Sequence, residues 1–372
     1  MTERKTRNRS ISLDVLRILS MFLIVTLHSI DHSGVMEASN SGSAASYLYS
    51  FFVFFLSKVS VNCFILISGY FLVTAEFRIK KLLTLWMEVV FYSFFIKLVF
   101  MLLGRTPFSA VSLISCLFPV FTGRYWFVTI YFGMYLLSPF FNHAILSMSR
   151  KKMTLCCFML FLIFSVWISL YPSFAGINSG RGWGLPWFTV LYFTGAWFRL
   201  HYSPSGAFGK KLLIWPVVAA LITLFLFVGD KSVPVVKRIV WNWYSYDSFP
   251  VYILSLVLFS AFLNMKELKE TNLKWITRIS ASTFGVYLIH AHADLSPLLW
   301  ETLNLPKYME SYQFPFIHIG SIILIFAVCS LIDMLRQVTV GKLEKEPFVD
   351  RISGKLQIYF GKMIHVLYKV SE

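Results

Sequence analysis

An arginine and a histidine lie within one apolar segment near the start of the chain. Arg17 and His28 are eleven positions apart in the segment 14–31, which is long and apolar enough to enter a bilayer. On an α-helix this separation is about 16 Å along the axis, close to three turns, so both side chains face the same way. Ionisable groups inside membrane helices are costly and usually face a protein interior or a water-filled cavity. This stripe is therefore the first candidate functional site.

The two residue types suit different parts of a group-transfer reaction. Histidine is a natural general base near neutral pH, and His28 lies towards the predicted outer third of the helix. Arginine binds phosphate or carboxylate through a planar fork, and Arg17 lies near the predicted inner end. The alternative is that both side chains only extend to the two membrane surfaces, as long amphipathic side chains do.

A second group of candidate residues lies at the end of the next apolar segment. Ser68 can form a hydrogen bond across helices, and Gly69 permits close approach of a neighbouring backbone. The cations Arg78, Lys80 and Lys81 follow, and together they form an anion site suited to a nucleotide or pyrophosphate. Taken alone, such a basic loop more often sets membrane topology than binds a ligand.

Further polar residues interrupt later apolar segments. Glu88 and Lys97 lie in the third segment, where they are costly and are expected to pair with partners across a helix bundle. Tyr287 and His290 are three positions apart, hence on one face of a helix. For each of these residues a structural role is the alternative to a role in supporting the site or binding substrate.

The composition is that of a membrane protein that crosses the bilayer several times. Hydrophobic residues make up 57% of the 372 residues and charged residues 14%, with a mean hydropathy of +0.68. The net charge of +16 does not indicate nucleic-acid binding, because the basic residues cluster in short segments between apolar stretches. The five cysteines show no metal-ligand spacing, so we expect free thiols, no disulfide and no metal.

The hydropathy pattern predicts an all-α membrane bundle of about ten transmembrane helices. The basic residues lie mainly in alternate loops, which predicts that both termini are cytoplasmic. The first apolar run continues to about Ile30 without a small-x-small cleavage site, which predicts that the first helix is not cleaved. We expect a membrane domain over 1–335 and a cytoplasmic tail over 336–372 that lies on membrane lipid as a basic amphipathic helix. The predicted spans are 12–30, 46–73, 82–103, 125–146, 153–172, 185–200, 212–229, 248–264, 280–299 and 314–335.

Five motifs follow one another in a recognisable order: Leu13-Asp-Val-Leu-Arg17 with His28; Asn62-Cys-Phe-Ile-Leu-Ile-Ser-Gly-Tyr-Phe-Leu72; Arg78-Ile-Lys80-Lys81; Arg124-Tyr-Trp-Phe-Val128 with Tyr135-Leu-Leu-Ser-Pro139; and Phe284-Gly-Val-Tyr-Leu-Ile-His290. In this order the chain resembles the acyltransferase-3 family of integral membrane acyltransferases, which modify bacterial surface glycans. The last two motifs look like those of the subgroup that includes the O-acetyltransferase of enterobacterial common antigen. The resemblance extends over about residues 11–335.

Two positions depart from the family pattern. Many members have Arg-x-x-Arg where this chain has Arg78-Ile-Lys80-Lys81, so charge is retained but the second planar fork is lost. Many members also have a glutamate shortly after the tryptophan that corresponds to Trp126. This chain has Phe127-Val-Thr-Ile-Tyr131 there, so no role of that glutamate can be transferred.

The resemblance implies transfer of an acyl group, most simply acetyl from cytoplasmic acetyl-CoA, to a glycan or lipid-linked saccharide hydroxyl at the bacterial plasma membrane. His28 would act as general base, either directly or through an acyl-imidazole. Arg17 would belong to the catalytic site together with His28, and Arg17, Ser68, Arg78 and Lys81 would hold the CoA. The residues expected to support the site or bind substrate are Glu88, Trp126, Tyr287 and His290.

Two rival functions remain open from the sequence alone. The first is a glycan or lipid transporter or flippase, in which Arg17, Glu88 and Lys97 line a translocation route. The second is an acyltransferase with the same histidine chemistry whose acceptor is a membrane lipid.

Overall fold

The computed structural model describes residues 10–39, 43–171, 179–230, 233–266 and 273–369, and within these ranges all regular secondary structure is helical. The all-α prediction is therefore confirmed for the described chain. The π-helical segment Leu162–Trp167 joins the α-helices Arg150–Phe161 and Ile168–Leu170, and two short 3₁₀ segments cover Leu305–Tyr308 and Val340–Lys345. The α-helices are α1 Ile11–Asp31, α2 Val35–Ser39, α3 Ala44–Ser57, α4 Val59–Leu72, α5 Ile79–Leu102, α6 Ala110–Cys116, α7 Trp126–Leu146, α8 Arg150–Phe161, α9 Ile168–Leu170, α10 Leu185–His201, α11 Phe208–Asp230, α12 Pro234–Asn242, α13 Phe249–Leu263, α14 Leu273–His290, α15 Leu295–Leu303, α16 Phe314–Val338 and α17 Pro347–Lys369.

Several helical segments have the length and apolarity of membrane spans, as a multi-pass membrane protein requires. Six segments of the described chain meet this criterion, and α13 is a shorter apolar helix. The total of ten spans and the cytoplasmic position of both termini stay predictions. The six segments are Ile11–Asp31, Ala45–Leu72, Ile79–Leu102, Arg150–Leu170, Phe208–Gly229 and Phe314–Val338.

Two predicted spans have different boundaries in the structure. The prediction of one helix over 280–299 is wrong, because α14 ends at His290 and α15 starts at Leu295 after a polar turn. Pro297 lies in the first turn of α15, where its missing N–H removes no helical hydrogen bond. The segment 46–73 is divided at Lys58 into α3 and α4, next to Ser57, whose hydroxyl donates to the carbonyl oxygen of Val53. Such back-bonding from a serine bends helices.

Helix α1 lies at the centre of the bundle, packed against α3, α4, α14 and α16. Arg17 near its start lies over Phe71 near the end of α4, and we call this end of the bundle the inner end, following the predicted topology. The opposite end, at Asp31, is called the outer end. Because α1 runs from one end of the bundle to the other, it places Arg17 near the inner end and His28 nearer the outer end. The two roles suggested for these residues need this separation.

The predicted tail helix packs on the start of α5 at the inner end. The side chain of Gln357 on α17 accepts a hydrogen bond from the Ile79 N–H at 2.8 Å and donates one to the Phe77 carbonyl oxygen at 3.1 Å. Phe360 stacks on Phe77, with ring centroids 4.6 Å apart. The exposed side chains of Ile352 and Leu356 are consistent with the amphipathic pattern of this segment. The tail therefore contacts the bundle itself beside the basic residues that follow α4.

Candidate active site

The two candidate histidines meet where α1 packs against α14. The Nδ1 atom of His28 lies 2.9 Å from Nε2 of His290, the last residue of α14. Tyr287, one turn earlier on the same helix face, lies beside them with its ring centroid 6.4 Å from that of His28. Three residues that the sequence places on two distant segments are thus brought together by the packing of these helices.

The hydrogen-bond chain defines which nitrogen of each imidazole carries the proton. Nδ1 of His290 lies 2.6 Å from the carbonyl oxygen of Val286, which can only accept, so this nitrogen is the donor. Nε2 of neutral His290 is then an acceptor, and Nδ1 of His28 donates to it. The remaining lone pair of neutral His28 is therefore on Nε2. No hydrogen bond within the described chain uses this atom, so it is available to remove a proton from a substrate.

His28 lines a small apolar cavity of about 50 Å³ inside the bundle. Apolar walls of this kind exclude water and strengthen electrostatic interactions at the imidazole. Trp126 is part of the wall, and its ring is held by stacking on Trp183 at a centroid distance of 4.7 Å. The full lining consists of Met21, Ile24, His28, Val61, Phe64, Trp126, Phe127, Tyr246, Phe284 and Tyr287.

Arg17 is held at the inner end of α1 by a buried acid and an aromatic ring. Its Nη1 lies 2.5 Å from Oδ1 of Asp14, which also accepts a hydrogen bond of 2.9 Å from the Ser280 hydroxyl on α14. The guanidinium carbon lies 5.5 Å from the centroid of Phe71. The side chain is 30% exposed, so these neighbours orient the guanidinium and leave it accessible from the inner end.

A second cavity, of about 120 Å³, lies at the inner end between α4, α5 and α7. Lys81 lines it, with its ammonium 5.9 Å from the ring centroid of Tyr135. The Tyr135 hydroxyl also bonds to the backbone N–H and carbonyl oxygen of Arg78, at 3.2 and 3.1 Å. The Arg78 side chain itself points outward and pairs with Glu76 at 3.1 Å. Lys81 is therefore within the inner cavity, and Arg78 is at its approach.

Tyr131 links Arg17 and Ser68 to this inner cavity. Its side chain lines the cavity, and its hydroxyl interacts with the Ser68 hydroxyl and lies within electrostatic range of Arg17. Ser68 also donates a hydrogen bond of 2.9 Å to the Phe64 carbonyl oxygen. The predicted CoA-binding residues Arg17, Ser68 and Lys81 thus converge on one region through two tyrosines.

Three helices present continuous stripes of side chains from this region towards His28. On α1, Met21 and Ile24 lie on the same face between Arg17 and His28, and both line the His28 cavity. Neighbours four positions apart share a helix face in the same way on α4 and α7. The pairs are Phe64 with Ser68 and Phe127 with Tyr131, and in each pair the first residue lines the His28 cavity.

A much larger cavity of about 710 Å³ opens at the outer end. Tyr246 is common to its lining and that of the His28 cavity, so this one side chain separates the two spaces. The loop 179–184 forms part of the wall, and Gly182 packs so closely that a Cβ there would lie 2.5 Å from the Cβ of Tyr246. Below the loop, burial raises the pKa of the Asp247 carboxyl, which accepts hydrogen bonds from Ser179 and Ser245.

Glu88 and Lys97 do not join the site. Glu88 pairs with Arg336 of α16 at 3.0 Å, and Arg336 also bonds to the buried Asp333 at 2.8 Å. Lys97 pairs with Asp294 at 3.0 Å in the turn between α14 and α15. Both residues therefore tie α5 to the helices beside it. Within the described residues, no group of three His, Cys, Asp or Glu side chains could hold a metal ion.

The sequence of the chain matches a known protein family. The model of the acyltransferase-3 family, described as an acyltransferase domain, matches residues 10–334, so the chain belongs to this family and is an acyltransferase by family. This range contains both histidines and the inner cavity. Comparison with curated proteins and with solved structures gives no significant match.

Sequence reasoning missed several residues around these cavities. Tyr131, Tyr135 and Tyr246 were not identified as site residues, because a tyrosine in an apolar helix, or in a short turn such as the one that contains Tyr246, gives no functional signal of its own. Lys58 could have been found, since a lysine in the middle of an apolar segment is costly and therefore rare. Its position between α3 and α4, on the outer cavity, is visible only in the structure.

Proposed function

We propose that this protein is an O-acyltransferase that moves an acyl group, most simply acetyl, from cytoplasmic acyl-CoA to a hydroxyl of a surface glycan or its lipid-linked precursor, in the plasma membrane of a bacterium. The observation that supports the proposal is the His28–His290 pair, which leaves the lone pair on Nε2 of His28 free to act as a base beside an apolar cavity. Family membership supports the reaction type.

The reaction proceeds by direct transfer in this proposal. The acceptor hydroxyl gives its proton to Nε2 of His28 while its oxygen attacks the thioester carbonyl carbon. The carbon–sulfur bond breaks, the CoA thiolate leaves, and it takes the proton from His28. The products are the O-acyl ester and free CoA. The Nδ1–H of His28 donates to His290 throughout, which stabilises the imidazolium. A positioned base contributes about 10²–10⁴-fold to rate, and proximity adds to it.

The inner cavity is the proposed site for the CoA end of the donor. Arg17 and Lys81 would neutralise its phosphates, Arg78 would attract it from the approach, and Ser68 with Tyr131 would contact the arm that reaches towards His28. Helices α4 and α7 support this route, because each contributes side chains to both cavities, and α1 runs beside them from Arg17 to the His28 cavity.

The arrangement of charges favours acyl transfer over transport. A translocation route would need Arg17, Glu88 and Lys97 along one passage. In the structure each belongs to a different ion pair, with Asp14, Arg336 and Asp294 respectively. The stripe that connects the two ends of α1 is apolar between Arg17 and His28, which suits a thioester arm better than a polar cargo.

The test is acyl transfer by the purified full chain in vesicles supplied with radiolabelled acetyl-CoA and a glycan extract. His28→Ala should abolish transfer while the protein stays inserted and monodisperse. His201→Ala, a histidine at the far end of α10, should keep it. Retained transfer in His28→Ala would overturn the assignment. Mass spectrometry of surface glycans from cells with and without the gene identifies the acceptor, and an unchanged glycan with an acylated lipid would assign a lipid acceptor instead.

A further inference from the structure

The outer cavity contains a buried lysine between two aromatic rings. Lys58 lies at the junction of α3 and α4 and is only 9% exposed. Its ammonium is 4.3 Å from the ring centroid of Phe54 and 4.9 Å from that of Tyr246. Within the described chain no carboxylate forms an ion pair with it. Cation–π contacts offset part of the desolvation of a buried ammonium, but its three N–H donors still need acceptors.

The other charges of the cavity lie at its rim. Asp31, Glu37 and Arg181 are exposed, so solvent and salt screen them. Lys58 is the buried charge among the described lining residues and therefore dominates the field at the base of the cavity. Asp31 lies within electrostatic range of Lys58 but is about half exposed, so an anionic group in direct contact with the ammonium would gain more from Lys58 than it would lose to the solvent-screened carboxylates.

The loop that carries Arg181 has an unusual backbone. Arg181 has φ +58°, between Gly180 at +65° and Gly182 at +85°. A non-glycine residue in the left-handed region is strained, and such strain clusters at ligand-binding sites. The Arg181 guanidinium donates a hydrogen bond of 3.3 Å to the Trp241 carbonyl oxygen, which keeps this second cation over the mouth of the cavity.

The walls of the cavity suit a saccharide. The half-exposed indoles of Trp183 and Trp241 present broad aromatic surfaces with polar edges, on which the apolar faces of sugar rings can pack. The volume of about 710 Å³ is in the range of sites that enclose a small organic ligand, and an oligosaccharide of a few units could fill it.

We infer that the outer cavity binds an acidic group of the acceptor saccharide, with Lys58 as its buried partner and Arg181 as the cation at the mouth. The inference rests on the proposed function, which supplies the reason for a saccharide at this end. Two possible ligands present the same kind of anionic oxygen group to Lys58: the carboxylate of a uronic acid and a phosphate of the lipid-linked precursor. Tyr246, which touches both spaces, would then separate the acidic group from the hydroxyl presented to His28.

The test measures binding without any acyl donor, so that it does not depend on catalysis. Tetragalacturonate and the neutral maltotetraose are titrated into the purified full chain in detergent, with intrinsic tryptophan fluorescence as the signal. The acidic ligand should bind roughly ten- to a hundredfold more tightly, as expected for hydrogen bonds to a buried charge. N-acetylglucosamine 1-phosphate, compared with N-acetylglucosamine, tests the phosphate source in the same way.

Two variants separate Lys58 from general electrostatic attraction. Lys58→Gln should abolish the preference for the acidic ligand, and Lys307→Gln, an exposed lysine elsewhere in the chain, should keep it. Two results would overturn the inference. The first is that the wild type binds the acidic and the neutral ligand equally in both ligand pairs, and the second is that Lys58→Gln keeps the preference for the acidic ligand. A chain that binds selectively but transfers no acyl group would refute the proposed function and leave this site intact.

Discussion

Gly69 on α4 lies directly against the backbone of Tyr192 on α10. A Cβ atom built on Gly69 would stand 2.2 Å from the Tyr192 carbonyl oxygen, and one on Gly195 would stand 2.3 Å from the Leu66 carbonyl oxygen. The two glycines thus permit reciprocal close approach, as small residues do between membrane helices. This contact fixes the position of α4, and therefore of Ser68, relative to α10.

Gly69→Ala should destabilise the folded protein by about 1–3 kcal/mol or more, because two backbones would have to separate. Gly320→Ala on α16 is the matched control, since a Cβ there meets nothing within 4 Å. Thermal unfolding in detergent, followed by size-exclusion chromatography, measures both. Equal unfolding temperatures for the two variants would contradict the packing argument.

His290→Gln should lower kcat roughly ten- to a hundredfold and leave the KM for acyl-CoA unchanged, because the acceptor that orients His28 is altered while the inner cavity is not. His318→Gln provides the control. His318 is also a buried histidine bonded to α1, through Ser29 at 2.7 Å, but it does not contact His28 by a hydrogen bond. A similar fall in kcat for both variants would show that His290 acts only through stability.

If Arg17 binds the phosphates of CoA as proposed, Arg17→Gln should raise the KM for acetyl-CoA by roughly ten- to a hundredfold, because a charged hydrogen-bond donor is lost. Acetylpantetheine, which lacks the nucleotide phosphates, should be used equally well by wild type and variant. Arg150→Gln, an exposed arginine at the start of α8, should change neither value. If Arg17→Gln impairs both donors alike, the arginine does not act on the phosphates.

Arg336→Met should destabilise the protein by about 3–5 kcal/mol, since Asp333 is fully buried and would lose its charged partner. Lys80→Met removes an ion pair with Asp350 that is largely exposed, and we expect a loss of less than about 1 kcal/mol. The comparison is made by chemical unfolding in mixed micelles. A larger loss for the lysine variant would contradict the assigned burial.

Stability should depend on pH through Asp247. Burial raises its pKa in the folded protein, so between the unfolded and the folded pKa the native state binds more protons than the unfolded state. The free energy of unfolding therefore falls as pH rises through this interval. Asp247→Asn should flatten this part of the profile, measured as unfolding temperature against pH. Parallel profiles for wild type and variant would contradict the assignment.

The sequence predicted the elements of the fold better than their junctions. Length and apolarity define the membrane helices, but not their junctions. The turn after His290 depends on polar residues whose partners lie on another helix, and the division at Lys58 lies next to a single local serine bond. Hydropathy averages over such single residues, so the predicted span 280–299 passed across the turn.

For the candidate site, spacing placed Arg17 and His28 on one stripe, and Tyr287 with His290 on another. That the stripes face each other follows from the packing of α1 on α14, which no local pattern encodes. Glu88 shows the reverse case. The sequence shows that a carboxylate in an apolar helix is energetically costly and needs a partner, but it does not show that the partner is Arg336. The ion pair joins α5 to α16 and does not contact His28.

Tyr246 stands at the boundary between the small cavity of His28 and the large outer cavity. If acyl transfer runs as proposed, neither substrate has to traverse the protein. The thioester arrives from one face, the sugar from the other, and only a two-carbon fragment changes compartment in the case of acetyl. The ring of Tyr246 at the meeting point would let that fragment pass while the membrane stays impermeable to ions and to CoA. One side chain would then serve both the permeability barrier and the acyl transfer.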